Sequence, residues 1–136
     1  MAFSIKILTL YKDLNFSADS NIETNKNERL EIYRNGVSKH NMSPSLDEYL
    51  LDGKKCGFAL PKDSTATPDY AIKAGKYFFV QGDVKQDSLN EAAEALWLES
   101  IWQEQVLDMN TVYVRYINED DHEAFQIFRR VAAEQA

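Results

Sequence analysis

One cysteine, Cys56, stands in a chain of 136 residues, so no intramolecular disulfide can form, and a thiol without a partner fits a reducing compartment. Cationic residues are scarce too: 15 Lys and Arg face 22 Asp and Glu, a net charge of −7. DNA, RNA or an anionic bilayer would meet net repulsion from such a chain. The pairs Lys54-Lys55 and Arg129-Arg130 are too short to track a run of phosphates, so neither nucleic acid nor a membrane surface is expected as a partner. No stretch approaches the roughly 20 apolar residues of a membrane span. Ser4, Lys6 and Thr9 interrupt the apolar residues of Met1 to Tyr11, and no small-residue cleavage site follows, so no signal peptide is expected. A cytoplasmic location follows as an expectation. The sequons at Asn15-Phe16-Ser17 and Asn41-Met42-Ser43 then carry little meaning.

Catalytic signatures are also missing. His40 and His122 have no Cys or His at ligand spacing, which argues against zinc, and no other metal or cofactor is expected. There is no G-x-S-x-G elbow, no P-loop and no G-x-G-x-x-G. Cys56 sits in an apolar run, where a thiol packs as a small hydrophobe. Glu119-Asp120-Asp121 gathers carboxylates that a hard cation would favour, but without regular ligand spacing it reads as a polar turn. The chain reads as a binding protein rather than an enzyme, and no catalytic residue is assigned.

What is present supports a folded domain. An apolar share of 44% with 12% aromatics is enough for a core, and the length suits a single domain spanning residues 1–136. Phe3 to Tyr11 alternates with period two and predicts a strand. Leu14 to Arg29, rich in Asn, Ser, Asp and Glu, predicts a loop. Leu30 to Val37 reads as a second strand, ending at Asn35-Gly36. Ser43 followed by Pro44 predicts a short helix that stops at Asp52-Gly53, and Cys56 to Leu60 a strand. Tyr70 to Val80 is a strand with a break at Ala74-Gly75. Ser88 and Glu91 form a capping box that opens a long helix reaching about Leu107. Thr111 to Ile117 and Ala124 to Val131 complete a hairpin. The fold class is therefore α+β: a largely antiparallel sheet with one short and one long helix.

The long helix carries two apolar stripes. At 100° per residue, Leu89, Ala92, Ala93, Leu96, Trp97 and Ile101 gather on one broad side, while Leu98 and Trp102 stack nearly opposite. The sheet accounts for one stripe; a partner subunit, a ligand or the preceding loop is needed for the other. From Asp87 to Asp108 there is no Lys or Arg, so the helix is acidic. Ten aromatics, among them Tyr77, Phe79, Trp97, Trp102, Tyr113 and Tyr116, fall in the second half of the chain. Tyr and Trp carry polar tips that favour partly wet positions, so this cluster points to a ligand-lined groove.

Residues 72–131 resemble one repeat of the gyrase-inhibitor-like (GyrI-like) effector-binding domains: an Ala-Gly-Lys-Tyr strand, a long helix from Ser88, then a Tyr-bearing hairpin. The resemblance implies two β-α-β-β repeats, about 30–73 and 74–131, related by pseudo-twofold symmetry, with Gly57-Phe58-Ala59-Leu60-Pro61 in the Gly-bearing strand of the first. It implies a groove for a small amphipathic molecule, walled by Tyr77, Trp97, Trp102, Tyr113 and Tyr116, with Phe79 beside them. It also implies a stand-alone bacterial domain, since no helix-turn-helix segment accompanies it. One departure is specific. Where that family commonly carries a Glu on the hairpin strand, this sequence has Val112, Val114 and Arg115, so cationic-drug binding and the hydrolysis carried out by some relatives do not transfer. The competing expectation is a protein–protein accessory module, a homodimer through Leu98 and Trp102 on the acidic helix.

Overall fold

A computed structural model describes residues 3–18, 25–35, 49–51, 57–61, 65–108, 111–119 and 121–132. The elements are β1 (Ile5–Leu10), β2 (Leu14–Ser17), β3 (Asn25–Asn35), β4 (Tyr49–Leu51), β5 (Gly57–Ala59), β6 (Tyr70–Ile72), β7 (Gly75–Asp83), α1 (Leu89–Trp102), β8 (Thr111–Glu119) and β9 (His122–Arg130). The nine strands form one curled antiparallel sheet in the order β1-β7-β9-β8-β3-β5-β2-β6, with β4 paired to β3 beside this path. The molecule is thus mostly sheet. The coarse α+β expectation holds, with α1 as the one helix among the described residues.

Several expectations change. Most of the short helix expected from Ser43 lies outside the described residues, as does Cys56; the part that is described, Tyr49–Leu51, is a strand paired with Tyr33 to Asn35. Leu14 to Arg29 is not simply a loop: β2 lies inside it and β3 begins at Asn25. In β2, Leu14 and Phe16 alternate inward and the Phe16 ring is fully buried, so two apolar residues are enough to seat a short strand. The expected break at Ala74-Gly75 is real and separates β6 from β7.

The long helix starts as expected, the Glu91 N–H donating to the Ser88 hydroxyl at 3.3 Å, but it stops at Trp102. The Gln105 N–H donates to the Ser100 carbonyl and the Glu104 N–H to that of Ile101, with Glu104 at φ 54. This is a Schellman-type stop in which Glu occupies the left-handed position that glycine usually takes, at a cost of about 1 kcal/mol. The next segment is stitched to the last strand: Leu107 bridges Val131, the Asp108 N–H donates to the Arg130 carbonyl and the Ala132 N–H to that of Val106. Arg129, fully buried, donates to the Asp108 carbonyl at 3.3 Å.

Because strand side chains alternate, the sheet has two packed faces. One holds Phe78, Val80, Val112, Val114, Phe125 and Ile127, with Ala92, Ala93 and Leu96 of α1 laid over it. Gly82 fits here because its strand partner Phe125 lies over it; a Cβ would come within 2.3 Å of that ring. The other face gathers Phe16, Leu30, Ile32, Ala59, Ile72, Tyr77 and Phe128, drawn from β2, β3, β5, β6, β7 and β9. Strands from both ends of the sheet order thus share one interior, as a curled sheet requires.

The curl turns on a corner. The β1 ladder against β7 ends at Leu10 opposite Gly75, and the β2 ladder against β6 begins at Leu14 opposite Ile72. Two consecutive strand pairs therefore bend together, the means by which strands pass from one layer to another. Asp13 holds the bend, accepting from the Ala74 N–H at 2.7 Å and from Lys73 Nζ at 3.3 Å. The hydrogen bond from the Ala74 N–H, foremost, pulls the Asp13 carboxyl below its ordinary value; desolvation opposes it, and Lys73 and Arg130 add to the lowering.

Candidate ligand face

The six aromatic residues expected to wall one groove occupy three places. Tyr77, Phe79 and Tyr113 lie together on the wrapped face around Phe128. Tyr116 projects to the opposite, helix-bearing face. Trp97 and Trp102 belong to α1, Trp97 half-buried and Trp102 83% exposed. Alternation explains the division. Tyr77 and Phe79 are two residues apart and share a side, whereas Tyr113 and Tyr116 are three apart and cannot.

Within the first group, depth differs by level. Tyr77 is 1% exposed. Its hydroxyl donates to the Lys73 carbonyl at 2.6 Å and accepts from Arg130 Nη1 at 3.1 Å, while Arg130 Nη2 reaches the Ala74 carbonyl. Burial raises the Tyr77 pKa, with Arg130 opposing. Its ring meets Phe128 edge-on at 6.0 Å. Gly75 lets the guanidinium in: it stands at φ +147, and an added Cβ would lie 2.9 Å from Arg130 Nη2. The Tyr77 hydroxyl both donates and accepts within the protein, so Tyr77 serves the corner.

Two residues along β7, the same face is open. Phe79 packs on Phe128 at 5.1 Å, and Tyr113 stands across from Phe128 and Ile32; both stay half-buried. The next register is a row of polar side chains across four strands. Arg115 donates through Nε and Nη2 to Glu28 Oε2, at 3.1 and 2.6 Å, and through Nη1 to Gln126 Oε1 at 3.1 Å. Gln126 in turn donates to Gln81 Oε1 at 2.9 Å. Arg115 and Glu28 keep 22% and 27% of their side-chain surface in solvent, and Gln81 is exposed. Water therefore reaches the wrapped face at this level. A ring-lined patch beside an ordered row of donors and acceptors can hold a molecule with an apolar body and a polar end.

Arg115, Gln126, Gln81 and Glu28 were not foreseen as one group. The available signal was a charge at an inward strand position, two residues from Tyr113. Their alignment depends on sheet order, which brings Leu30 opposite Arg115, Arg115 opposite Gln126 and Gln126 opposite Gln81.

On the helix-bearing face, Arg29 lies 4.2 Å over the Tyr116 ring and pairs with Glu123 at 2.8 Å. Burial, foremost, and the adjacent Glu31 carboxylate push the Tyr116 hydroxyl well above the ordinary tyrosine range. Glu31 also accepts from the Tyr33 hydroxyl. These contacts occupy Tyr116 within the protein. Among the described residues, no group of three His, Cys, Asp or Glu side chains could hold a metal ion, and no helix is long and apolar enough to cross a membrane.

Comparison with protein-family models, with curated proteins and with solved structures yields no match.

Proposed function

We propose that the chain is a non-enzymatic binding protein for a small amphipathic molecule, which rests on Phe79 and Tyr113 and turns its polar end toward Arg115, Gln126 and Gln81. The observation that carries this reading is the change in exposure along one face: Tyr77 is sealed, whereas Phe79, Tyr113 and Gln81 at the following levels meet solvent. The occupied hydrogen bonds of Arg115 favour a neutral or zwitterionic polar end, which adds partners without displacing Glu28. The Tyr-bearing strand–helix–hairpin order of β7-α1-β8-β9, which resembles a GyrI-like unit, is a further support.

A thermal-shift series with decyl maltoside, decanoate and decyltrimethylammonium tests the reading. A bound molecule must raise the unfolding midpoint. The expected result is a rise with decyl maltoside that disappears in Tyr113→Ala; a flat response to all three, or a rise that Tyr113→Ala retains, overturns it. A second reading, a protein–protein accessory module, is favoured by the exposed apolar residues of α1.

A further inference from the structure

On the outer side of α1, Leu98, Ile101 and Trp102 are 52%, 53% and 83% exposed. Spaced at i, i+3 and i+4, they form one stripe along the last two turns. Ile101 was expected on one broad side with Leu89, Ala92, Ala93, Leu96 and Trp97, opposite Leu98 and Trp102. The structure gives that side to Ala92, Ala93, Leu96 and Ser100, and turns Ile101 out with Leu98 and Trp102. Val106, 68% exposed, extends the stripe past the helix end, and the bond from the Ala132 N–H to its carbonyl holds it there. An exposed apolar stripe on a rigid element is a common mark of a docking surface.

Charge selects the occupant. The helix and its end carry Glu91, Glu94, Glu99 and Glu104, with no Lys or Arg between Asp87 and Asp108. The helix end places its negative dipole pole beside Glu99 and Glu104, and no basic residue lies in the last turn to offset it. A second copy laid symmetrically on this face would set acid against acid. An anionic bilayer would be repelled.

We infer that this face docks a basic amphipathic segment of another protein, whose apolar residues cover Leu98, Ile101, Trp102 and Val106 while its Lys or Arg side chains meet Glu94, Glu99, Glu104 and the helix C-terminus. The surface is separate from the ligand face and does not depend on it.

The test uses the full chain and three fluorescent probe peptides, each about five helical turns long: an amphipathic Leu/Lys helix, the same helix with Glu for Lys, and a Leu/Lys peptide of scrambled order. Binding is followed by anisotropy and by the emission shift of Trp102. The amphipathic Leu/Lys helix is expected to bind at least tenfold more tightly than the other two, and to weaken as salt is raised. Trp102→Ala and the double variant Glu99→Lys/Glu104→Lys are each expected to lose at least tenfold; Trp102 and Glu104 are exposed and Glu99 half-buried, and circular dichroism checks that both variants fold. Equal binding of the three peptides, or unchanged binding by Trp102→Ala, overturns the inference. So does a wild-type dimer in sedimentation that Trp102→Ala converts to monomer, because the face would then belong to a second copy.

Discussion

Tyr77 and Tyr113 sit on the same side of the same sheet, against the same Phe128 ring, yet their surroundings differ. Around Tyr77 the chain brings a bend, a glycine and an arginine together until the hydroxyl both donates and accepts within the protein. Around Tyr113 the neighbouring polar row remains in contact with water. Burial of the first residue is explained by what it holds in place. The half-exposure of the second has no structural purpose of that kind, which is why the functional reading rests there. A buried aromatic is thus weak evidence for a site, and a half-buried one beside ordered polar groups is stronger evidence.

Substitutions separate the two levels, and the largest effect belongs to the ring they share. Phe128→Ala should cost about 4 kcal/mol in chemical denaturation, because it opens a cavity under both tyrosines. Gly82→Ala should cost about 3 kcal/mol by the same assay: the added methyl meets the buried Phe125 ring, which has nowhere to move. At the closed level, Tyr77→Phe should remove about 1.5 kcal/mol, leaving the Lys73 carbonyl and Arg130 short of a partner. At the open level, Tyr113→Ala should cost only about 1 kcal/mol while abolishing the amphiphile-induced rise in midpoint. If Tyr113→Ala is as damaging as Phe128→Ala, the distinction between the levels fails.

The smallest effects test the margins. Glu104→Gly should stabilise the fold by about 1 kcal/mol, since it relieves a left-handed residue and removes an acid from the helix C-terminus. It should also weaken the Leu/Lys peptide, linking that strain to the docking face. Asp13 supplies a pH test. Its carboxyl titrates below its ordinary 3.8 in the folded state, so its contribution is complete above that value and is lost as the pH falls through the lower, folded value. The midpoint difference between wild type and Asp13→Asn should therefore be constant near neutrality and shrink in acid below about pH 4.

Much of the architecture was legible. Ser88 marked the helix start because a hydroxyl at the N-cap meets an otherwise free N–H, and the β-branched and aromatic runs marked β7, β8 and β9. The helix end was misread because residues 103–108 contain no glycine or proline, and Glu104 does glycine's work at φ 54. β2 and the start of β3 were hidden by polar composition: β2 offers only Leu14 and Phe16, the first five residues of β3 offer no apolar side chain, and both are held by strands distant in sequence. For the site, the rings were visible, and the separation of Tyr113 from Tyr116 follows from alternation alone. The grouping of Tyr113 with Phe79, and of Arg115 with Gln126 and Gln81, required the order β7-β9-β8, in which the last strand slips between two that precede it.

The bend held by Asp13 also bears on how the molecule assembles. β8 and β9 can pair at once through their short connection, and α1 lies close by in sequence, so this region is suited to act as a folding nucleus. The corner is different: Leu14 meets Ile72 and Leu10 meets Gly75 only after a long intervening segment has been looped. Closure of that loop is entropically unfavourable until both ladders form together, so the curled sheet should complete late and slowly, with mutations at the corner speeding unfolding more than they retard folding.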